Sequence, residues 1–138
     1  MAENILPLQN IYSEIRETLL ASRNRAYSAV NFSMVQAYWN IGRIIVEHEQ
    51  NGSLRAEYGK GVLLDVSERL QQEFGEGFSV RNLQQMKKFY TMFPIANALR
   101  SQLTWTHYRA LLRVESEAAR NWYIEECIKS GWSSRQLE

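Results

Sequence analysis

The sequence has little cysteine and proline and no long hydrophobic run. Its 138 residues include one cysteine, Cys127, and two prolines, so an internal disulfide is impossible and a reducing compartment fits. No apolar run approaches the roughly 18 residues that suggest a membrane-spanning helix. The N-terminus lacks the basic and apolar regions of a secretory signal. We therefore expect a cytoplasmic protein with no membrane partner.

The acidic residues are poorly placed for catalysis. Asp65 is the single aspartate, whereas a magnesium-dependent nuclease centre needs clustered carboxylates beside a lysine. Gln85-Met86-Lys87 matches a permissive form of that motif but lacks an upstream acidic cluster. Glu47-His48-Glu49 carries possible metal ligands, but neighbouring side chains of a helix point in different directions. We predict no metal site, no cofactor and no catalytic residue, so this chain by itself is not expected to be an enzyme.

Apolar residues make up 45% of the chain and recur at the spacing of amphipathic helices. The length suits one domain over residues 1–138. We predict an all-α fold, a compact multi-helix domain with a divergent helix-turn-helix that has no clear wing. The predicted elements are long helices at 7–22 and 25–50, a helix-turn-helix at about 60–93, a second helical pair at 104–130, and a last helix cut off by the end of the sequence.

Asn51-Gly52 is placed to end the helix at 25–50, and residues 57–61 are either a short linker or the first turn of the next helix. In the second helical pair, Thr104 and Ser116 are placed as N-caps and Gly131 as the glycine that ends the second of these helices.

The predicted helix from Arg25 to Gln50 is apolar on more than one side. Val30, Met34 and Ile41 belong to its main stripe, and Trp39 lies outside that stripe. A helix of this kind is either central in the core or also buried in a partner. Its residues would span roughly 39 Å, which is long for so small a domain. We therefore expect a homodimer that forms through this helix.

The stretch from Ser79 to Phe93 predicts a helix with two distinct faces. Ser79 is placed to cap the first turn, and Gly75-Glu76-Gly77 precedes it as the turn of a helix-turn-helix. Arginine and lysine can reach guanine in the major groove, and glutamine can pair with adenine. A solvated surface helix gives the same pattern. The apolar face carries Leu83, Met86, Tyr90 and Phe93, and the polar face carries Arg81, Gln84, Gln85 and Lys88.

The charges are distributed unevenly along the chain. From Gly77 to Val114 there are six basic residues and no acidic one, although the net charge of the whole chain is only +1. A basic face of this kind supplies the phosphate contacts that dominate nucleic-acid affinity; an acidic protein partner is the alternative. We predict that DNA is contacted by Arg81, Gln84, Gln85, Lys87, Lys88, Arg100, His107, Arg109 and Arg113.

One short pattern occurs twice. Residues 77–83 and 131–137 both read glycine, aromatic, serine, any residue, arginine, amide, leucine. A tandem duplication would explain the similarity, and so would two independent helix starts that use favoured capping residues. Because the second helix has only begun where the sequence stops, we expect the natural chain to continue. Arg135 is then a candidate second contact residue.

Four groups of residues occur in order along the chain: Trp39 to Arg43, Gly77 to Leu83 with Met86, Phe89 and Tyr90, Leu103 to Tyr108 with Leu111-Leu112, and Arg120 to Tyr123 with Trp132-Ser133. Together these motifs resemble the N-terminal domain of the bacterial YhcG-like nucleases. The resemblance implies a helical N-terminal domain that precedes a C-terminal PD-(D/E)XK nuclease domain and serves as a DNA-binding module in DNA metabolism.

Two hypotheses follow for the function. The first is a homodimeric helix-turn-helix module that binds double-stranded DNA and positions the nuclease domain of the intact chain. The second is a protein-interaction or oligomerisation module of the same nuclease, without direct DNA contact. Added salt should weaken DNA binding steeply, whereas it should not weaken an apolar interface.

Overall fold

Helices dominate the computed structural model, which describes residues 2–50 and 56–138, with side chains from residues 7–50 and 61–138. The described residues contain no strand, so the predicted all-α class is confirmed. Short 3-10 turns at Glu76–Phe78 and Ala96–Ala98 join some of the helices. In order, the helices are α1 Ala2–Gln50, α2 Ala56–Phe74, α3 Val80–Met92, α4 Trp105–Leu111, α5 Glu117–Ser130 and α6 Ser134–Leu137.

The first helix differs from the prediction. Two helices were expected at 7–22 and 25–50, but α1 is continuous across this region and already includes Pro7. No glycine or proline lies between Pro7 and Gly42, and Arg25 Nη2 donates to Ser22 Oγ at 3.1 Å on the helix surface. The polar residues here therefore do not interrupt the helix. The predicted stop at Asn51-Gly52 lies outside the described residues.

The C-terminal half of α1 packs closely against α3. Gly42 makes this possible, because a Cβ atom at this position would overlap the backbone carbonyl of Met86. Nearby, Trp39 Nε1 donates to the carbonyl oxygen of Phe93 at 2.6 Å, and Val35 is fully buried. This helix crossing holds α3 in place from one side.

The other side of α3 contributes to the aromatic core. The Phe89 ring lies 4.8 Å from the Tyr108 ring of α4 and 5.3 Å from that of Trp105. The Tyr108 hydroxyl accepts a hydrogen bond from the backbone N–H of Arg100 at 2.8 Å, which satisfies its polar end within the core. The position of α4 relative to α3 is therefore set by buried rings.

The predicted helix starts and stops are confirmed where local capping determines them. Ser79, Thr104 and Ser116 each accept a hydrogen bond from a first-turn amide of the helix that follows, as favoured N-cap residues do. Gly131 ends α5 with a φ of 64°, a left-handed conformation that favours glycine. The region 57–61, predicted as a linker or as the first turn of a helix, belongs to α2.

The turn between α2 and α3 is anchored by a buried serine. Ser67 Oγ of α2 donates to the carbonyl oxygen of Phe78 at 2.7 Å, just before the Ser79 cap. Gly75 leaves α2 with a φ of 100°, which only glycine adopts readily. The two helices thus follow one another through a short, fixed turn.

Candidate nucleic-acid interface

Basic side chains converge on a groove between α3, α4 and α6. The groove has a volume of about 310 Å³. We call it the arginine groove, and its arginine, lysine and glutamine residues are Arg81, Gln85, Lys88, Arg109, Arg113 and Arg135. Thr106 and Ser134 add hydroxyl groups to its lining, and Glu138 adds a carboxylate.

Helical spacing brings the α3 residues onto one wall. Arg81, Gln85 and Lys88 lie at i, i+4 and i+7, which places them on one side of a helix. The other side carries Met86 and Phe89, which are buried against α1 and α4. The amphipathic pattern therefore orients the polar face by burying the apolar one.

The facing wall comes from α4 and the turn that follows it. Arg109 lies in the last turn of α4, and Arg113 follows within a continuing turn, because its N–H donates to the Ala110 carbonyl at 3.3 Å. The buried Arg120 holds the two residues that follow Arg113 in the chain. Its buried guanidinium donates to the carbonyl oxygens of Val114 and Glu115 at 2.8 and 3.1 Å.

The motif that occurs twice supplies two arginines to the groove. Ser79 Oγ accepts a hydrogen bond from the backbone N–H of Asn82 at 3.2 Å, and Ser133 Oγ accepts one from the backbone N–H of Gln136 at 3.3 Å. Both motifs therefore begin a helix with the same serine cap. Their equivalent arginines, Arg81 of α3 and Arg135 of α6, line the same groove.

The charge of the groove is not neutralised by ion pairs. Among the described side chains, the ion pairs are Arg43–Glu47, Lys87–Glu49 and Arg100–Glu125, and none includes a cation of the arginine groove. Its five cations face one carboxylate residue, Glu138. This surplus of positive charge favours an anionic ligand.

The remaining predicted contact residues lie elsewhere. Lys87 pairs with Glu49 of α1 at 2.8 Å, and Arg100 pairs with Glu125 of α5 at 2.7 Å. Gln84 is exposed but does not line the arginine groove. The structure therefore unites five of the nine predicted residues and adds Arg135.

His107 is built into the fold. Its Nδ1 accepts from the Thr104 N–H at 3.1 Å, so Nε2 carries the proton and donates to the Trp132 carbonyl at 2.8 Å. The ring is buried. It thus completes the cap of α4 and ties that cap to the turn before α6, where Ser133 and Arg135 follow.

Three groove features were not predicted from the sequence. Tertiary neighbours determine all three, which are the hydroxyls of Thr106 and Ser134 and the supporting role of Arg120. The sequence contains one local signal for them, since Ser133 marks the start of the helix that carries Ser134. Gln85 Oε1 is buried without a hydrogen-bond partner among the described residues. A buried acceptor of this kind needs a donor from water or a ligand.

Two buried titratable groups belong to the core and not to the groove. Burial raises the pKa of the Tyr108 hydroxyl, and the hydrogen bond from Arg100 and its charge offset part of that effect. Burial also raises the pKa of the Cys127 thiol. Both groups are therefore protonated at neutral pH, and the thiol is a poor nucleophile in this state.

Two other kinds of site are absent from the described residues. Across residues 2–50 and 56–138, no cluster of three or more histidine, cysteine, aspartate or glutamate side chains could hold a metal ion. In the same part of the chain, no helix combines the length and hydropathy needed to cross a membrane.

Comparison with known proteins adds a family and one curated relative. Residues 14–138 match the family described as the DUF1016 N-terminal domain. The chain is also 32% identical, over 162 aligned positions, to "Putative nuclease YhcG" of Escherichia coli (strain K12). That alignment covers 94% of this chain and 43% of the relative, so the chain spans less than half of the relative's length. No solved structure matches.

Proposed function

Because the chain belongs to the DUF1016 N-terminal domain family, as its resemblance to the YhcG-like proteins predicted, we propose that it is the DNA-binding module of a nuclease. In this proposal the arginine groove holds the sugar–phosphate backbone of double-stranded DNA. The module thereby positions a C-terminal PD-(D/E)XK nuclease domain of the intact protein on its substrate.

The observation that carries the proposal is the convergence of five cations that no ion pair neutralises among the described residues. Four of them are arginines, whose planar guanidinium groups bind phosphate oxygens in a bidentate manner. Neutralising phosphates releases condensed counterions, which supplies most of the sequence-independent affinity for DNA. The groove thus provides the chemistry that a phosphate backbone requires.

The lining of the groove favours a duplex over a single strand. Proteins that hold single strands stack the bases on aromatic side chains, and no aromatic residue is among the described residues that line the arginine groove. Its donors are guanidinium, ammonium, amide and hydroxyl groups. Such groups suit the backbone of a duplex, whose bases remain paired.

Base contacts would come from the first turns of α3. The N-terminal residues of a recognition helix contact base edges in helix-turn-helix proteins. Arg81 and Gln84 are exposed in this part of α3, and α2 with its fixed turn precedes them. We propose that these two residues reach base edges, while Lys88, Arg109, Arg113 and Arg135 contact phosphates.

The curated relative supports the link to a nuclease. Its name describes it as a nuclease of unproven status, and more than half of its length lies outside the aligned region. A separate catalytic domain fits in that remainder. A basic, non-catalytic groove at the N-terminal end would then hold DNA for it.

The test is fluorescence anisotropy of a labelled duplex with the 138-residue chain at about 50 and 200 mM salt. The variant Arg109→Ala/Arg113→Ala removes two groove cations. A matched control, Arg69→Ala/Lys129→Ala, removes two cations that are exposed on α2 and α5. All three proteins have their helix content checked by circular dichroism.

We expect the wild type and the control to bind with the same strong salt dependence. The groove variant should lose affinity and about two units of the slope of log K against log salt, since each neutralised phosphate contributes about 0.9. Equal losses in both variants would show that the groove is not the contact surface. Absence of binding by the wild type at low salt would reject DNA binding by this chain in favour of the interaction-module hypothesis.

A further inference from the structure

The N-terminal half of α1 extends away from the rest of the chain. Every side chain from residue 7 to residue 31 is exposed, and we call this segment the α1 arm. At 1.5 Å per residue it is roughly 37 Å long. Its large apolar residues are more than a third exposed, and they are Leu8, Ile11, Tyr12, Ile15, Leu19, Leu20, Tyr27 and Val30.

The apolar residues of the arm form a stripe on one side of the helix. Leu8, Leu19 and Val30 recur at intervals of three helical turns, and Tyr12 and Ile15 lie beside them. Further along α1, the residues that face α3 occupy the opposite side of the helix. The stripe therefore points away from α3 and is not the continuation of the domain core.

A solitary helix of this composition needs a partner. In proteins, most of the stability of a helix comes from the packing of its apolar face and not from the helix propensity of its residues. Contiguous exposed apolar surface also marks an interaction site. Both considerations imply that another surface covers the stripe of the α1 arm.

We propose that the arm of a second copy of this chain covers the stripe, in an antiparallel pair with its two-fold axis at Leu19. In this register Leu8 lies level with the other copy's Val30, and Tyr12 lies level with its Ala26. Ile15 lies level with Arg23, whose aliphatic stem can pack on an apolar neighbour. The stripe is thus complementary to itself.

The charges of the arm favour the antiparallel direction. Residues 7–17 carry two glutamates, Glu14 and Glu17, and one arginine, whereas residues 18–31 carry Arg23 and Arg25 and no acidic residue. An antiparallel pair places the acidic half of each arm beside the basic half of the other. A parallel pair would place the two basic halves together, which charge repulsion disfavours.

The surface available is large enough for a specific dimer. The stripe has five large apolar side chains, and burying each removes about 80 Å² of apolar area from water. Two copies would bury about 800 Å² of apolar area in this way. Because apolar atoms supply about 65% of a homodimer interface, the total buried area would be about 1,200 Å², which exceeds the roughly 1,000 Å² that a specific interface should reach. The arginine groove shares no residue with the arm, so the two surfaces are separate.

The first experiment measures mass by light scattering or sedimentation equilibrium at about 50 µM, a concentration at which a micromolar dimer is populated. The wild type should show twice the 16.2 kDa chain mass. Leu8→Glu/Leu19→Glu should show 16.2 kDa, because it places a charge level with the other copy's Val30 and brings two like charges together at the two-fold axis. Ser13→Glu/Asn24→Glu adds the same charge to the arm away from the stripe and should remain dimeric.

Monomeric wild type under these conditions would overturn the proposal. So would a stripe variant that stays dimeric, or a control that dissociates equally. Unfolding of the domain does not confuse the result, because the arm makes no contact that the core needs, and circular dichroism of the thermal transition checks this directly. Hydrogen exchange should also show faster exchange at residues 7–31 in the stripe variant than in the control.

The second experiment determines the direction of the pair by disulfide trapping. Leu8→Cys and Val30→Cys chains are mixed and oxidised with a mild oxidant, and Cys127 stays in place because it is buried. Antiparallel pairing predicts a disulfide-linked dimer of one Leu8→Cys chain and one Val30→Cys chain. Disulfides formed only between identical chains would show a parallel pair and overturn the antiparallel assignment.

Discussion

The two halves of α1 carry similar amphipathic sequences but have different surroundings. Residues around Val35, Trp39 and Gly42 are buried against α3, whereas the α1 arm is exposed throughout. Periodicity shows that a helix has an apolar face, but it does not show whether that face is covered by the same chain or by another. The difference lies in the close contact that Gly42 permits, which the arm lacks.

The two halves should differ most when a small residue is enlarged in each of them. Gly42→Val should lower the free energy of unfolding by about 3 kcal/mol, because its side chain overlaps the Met86 carbonyl and the helices must separate. Ala21→Val, in the arm and away from the stripe, should change it by no more than about 0.5 kcal/mol. Urea denaturation measures both, and a Gly42→Val variant as stable as Ala21→Val would contradict the close crossing of α1 and α3.

A smaller effect is expected when a valine is shortened to alanine in each half. Val35 is fully buried and Val30 is 61% exposed. Val35→Ala should cost about 2 kcal/mol, because it leaves a cavity, and Val30→Ala should cost no more than about 0.5 kcal/mol.

Self-association has to be removed from that measurement. Both valine substitutions are therefore made in the Leu8→Glu/Leu19→Glu background, and urea unfolding is followed by circular dichroism. Equal costs would mean that the arm packs on its own domain after all.

The smallest expected effect is on the pH dependence of stability. The raised pKa of Tyr108 means that the unfolded chain loses this proton first as the pH rises. Its contribution is fully present below the ordinary value of 10.0 and is lost above it, at up to about 1.4 kcal/mol per pH unit. Urea midpoints between pH 9 and 11 should fall.

One tyrosine of the core and one of the arm are each replaced by phenylalanine to test this. Tyr108→Phe should reduce the slope of that fall, although it also removes the hydrogen bond from Arg100. Tyr27→Phe removes an exposed phenol of the arm and should change the slope less than Tyr108→Phe does, when both substitutions are made in the Leu8→Glu/Leu19→Glu background that keeps the arm unpaired. An unchanged slope in Tyr108→Phe would show that the buried phenol is not responsible.

Local interactions made much of this fold predictable. The caps at Ser79, Thr104 and Ser116 depend on residues within one helical turn, and the all-α class follows from the spacing of apolar residues. The continuity of α1 was missed because serine and asparagine at 22–24 are compatible with both a cap and a helix interior. The separate environments of its two halves depend on tertiary contacts, which no local pattern encodes.

The candidate site was predictable to a similar extent. The helical period predicts that Arg81, Gln85 and Lys88 share one face. The stretch without acidic residues around them predicts that Arg109 and Arg113 belong to the same basic surface. Lys87 and Arg100 were included on the same ground. Their acidic partners lie 38 and 25 residues away in sequence, so those ion pairs could not be inferred from the surrounding residues.

The length of α1 has a hydrodynamic consequence. Its 49 residues make a rod of roughly 73 Å, whereas a globular chain of this size has a radius of gyration of about 14 Å. A body with such a projection diffuses more slowly than a sphere of equal mass. Gel-filtration volumes calibrated with globular standards will therefore overstate the mass of even a single chain, and small-angle scattering will give a distance distribution with a long tail.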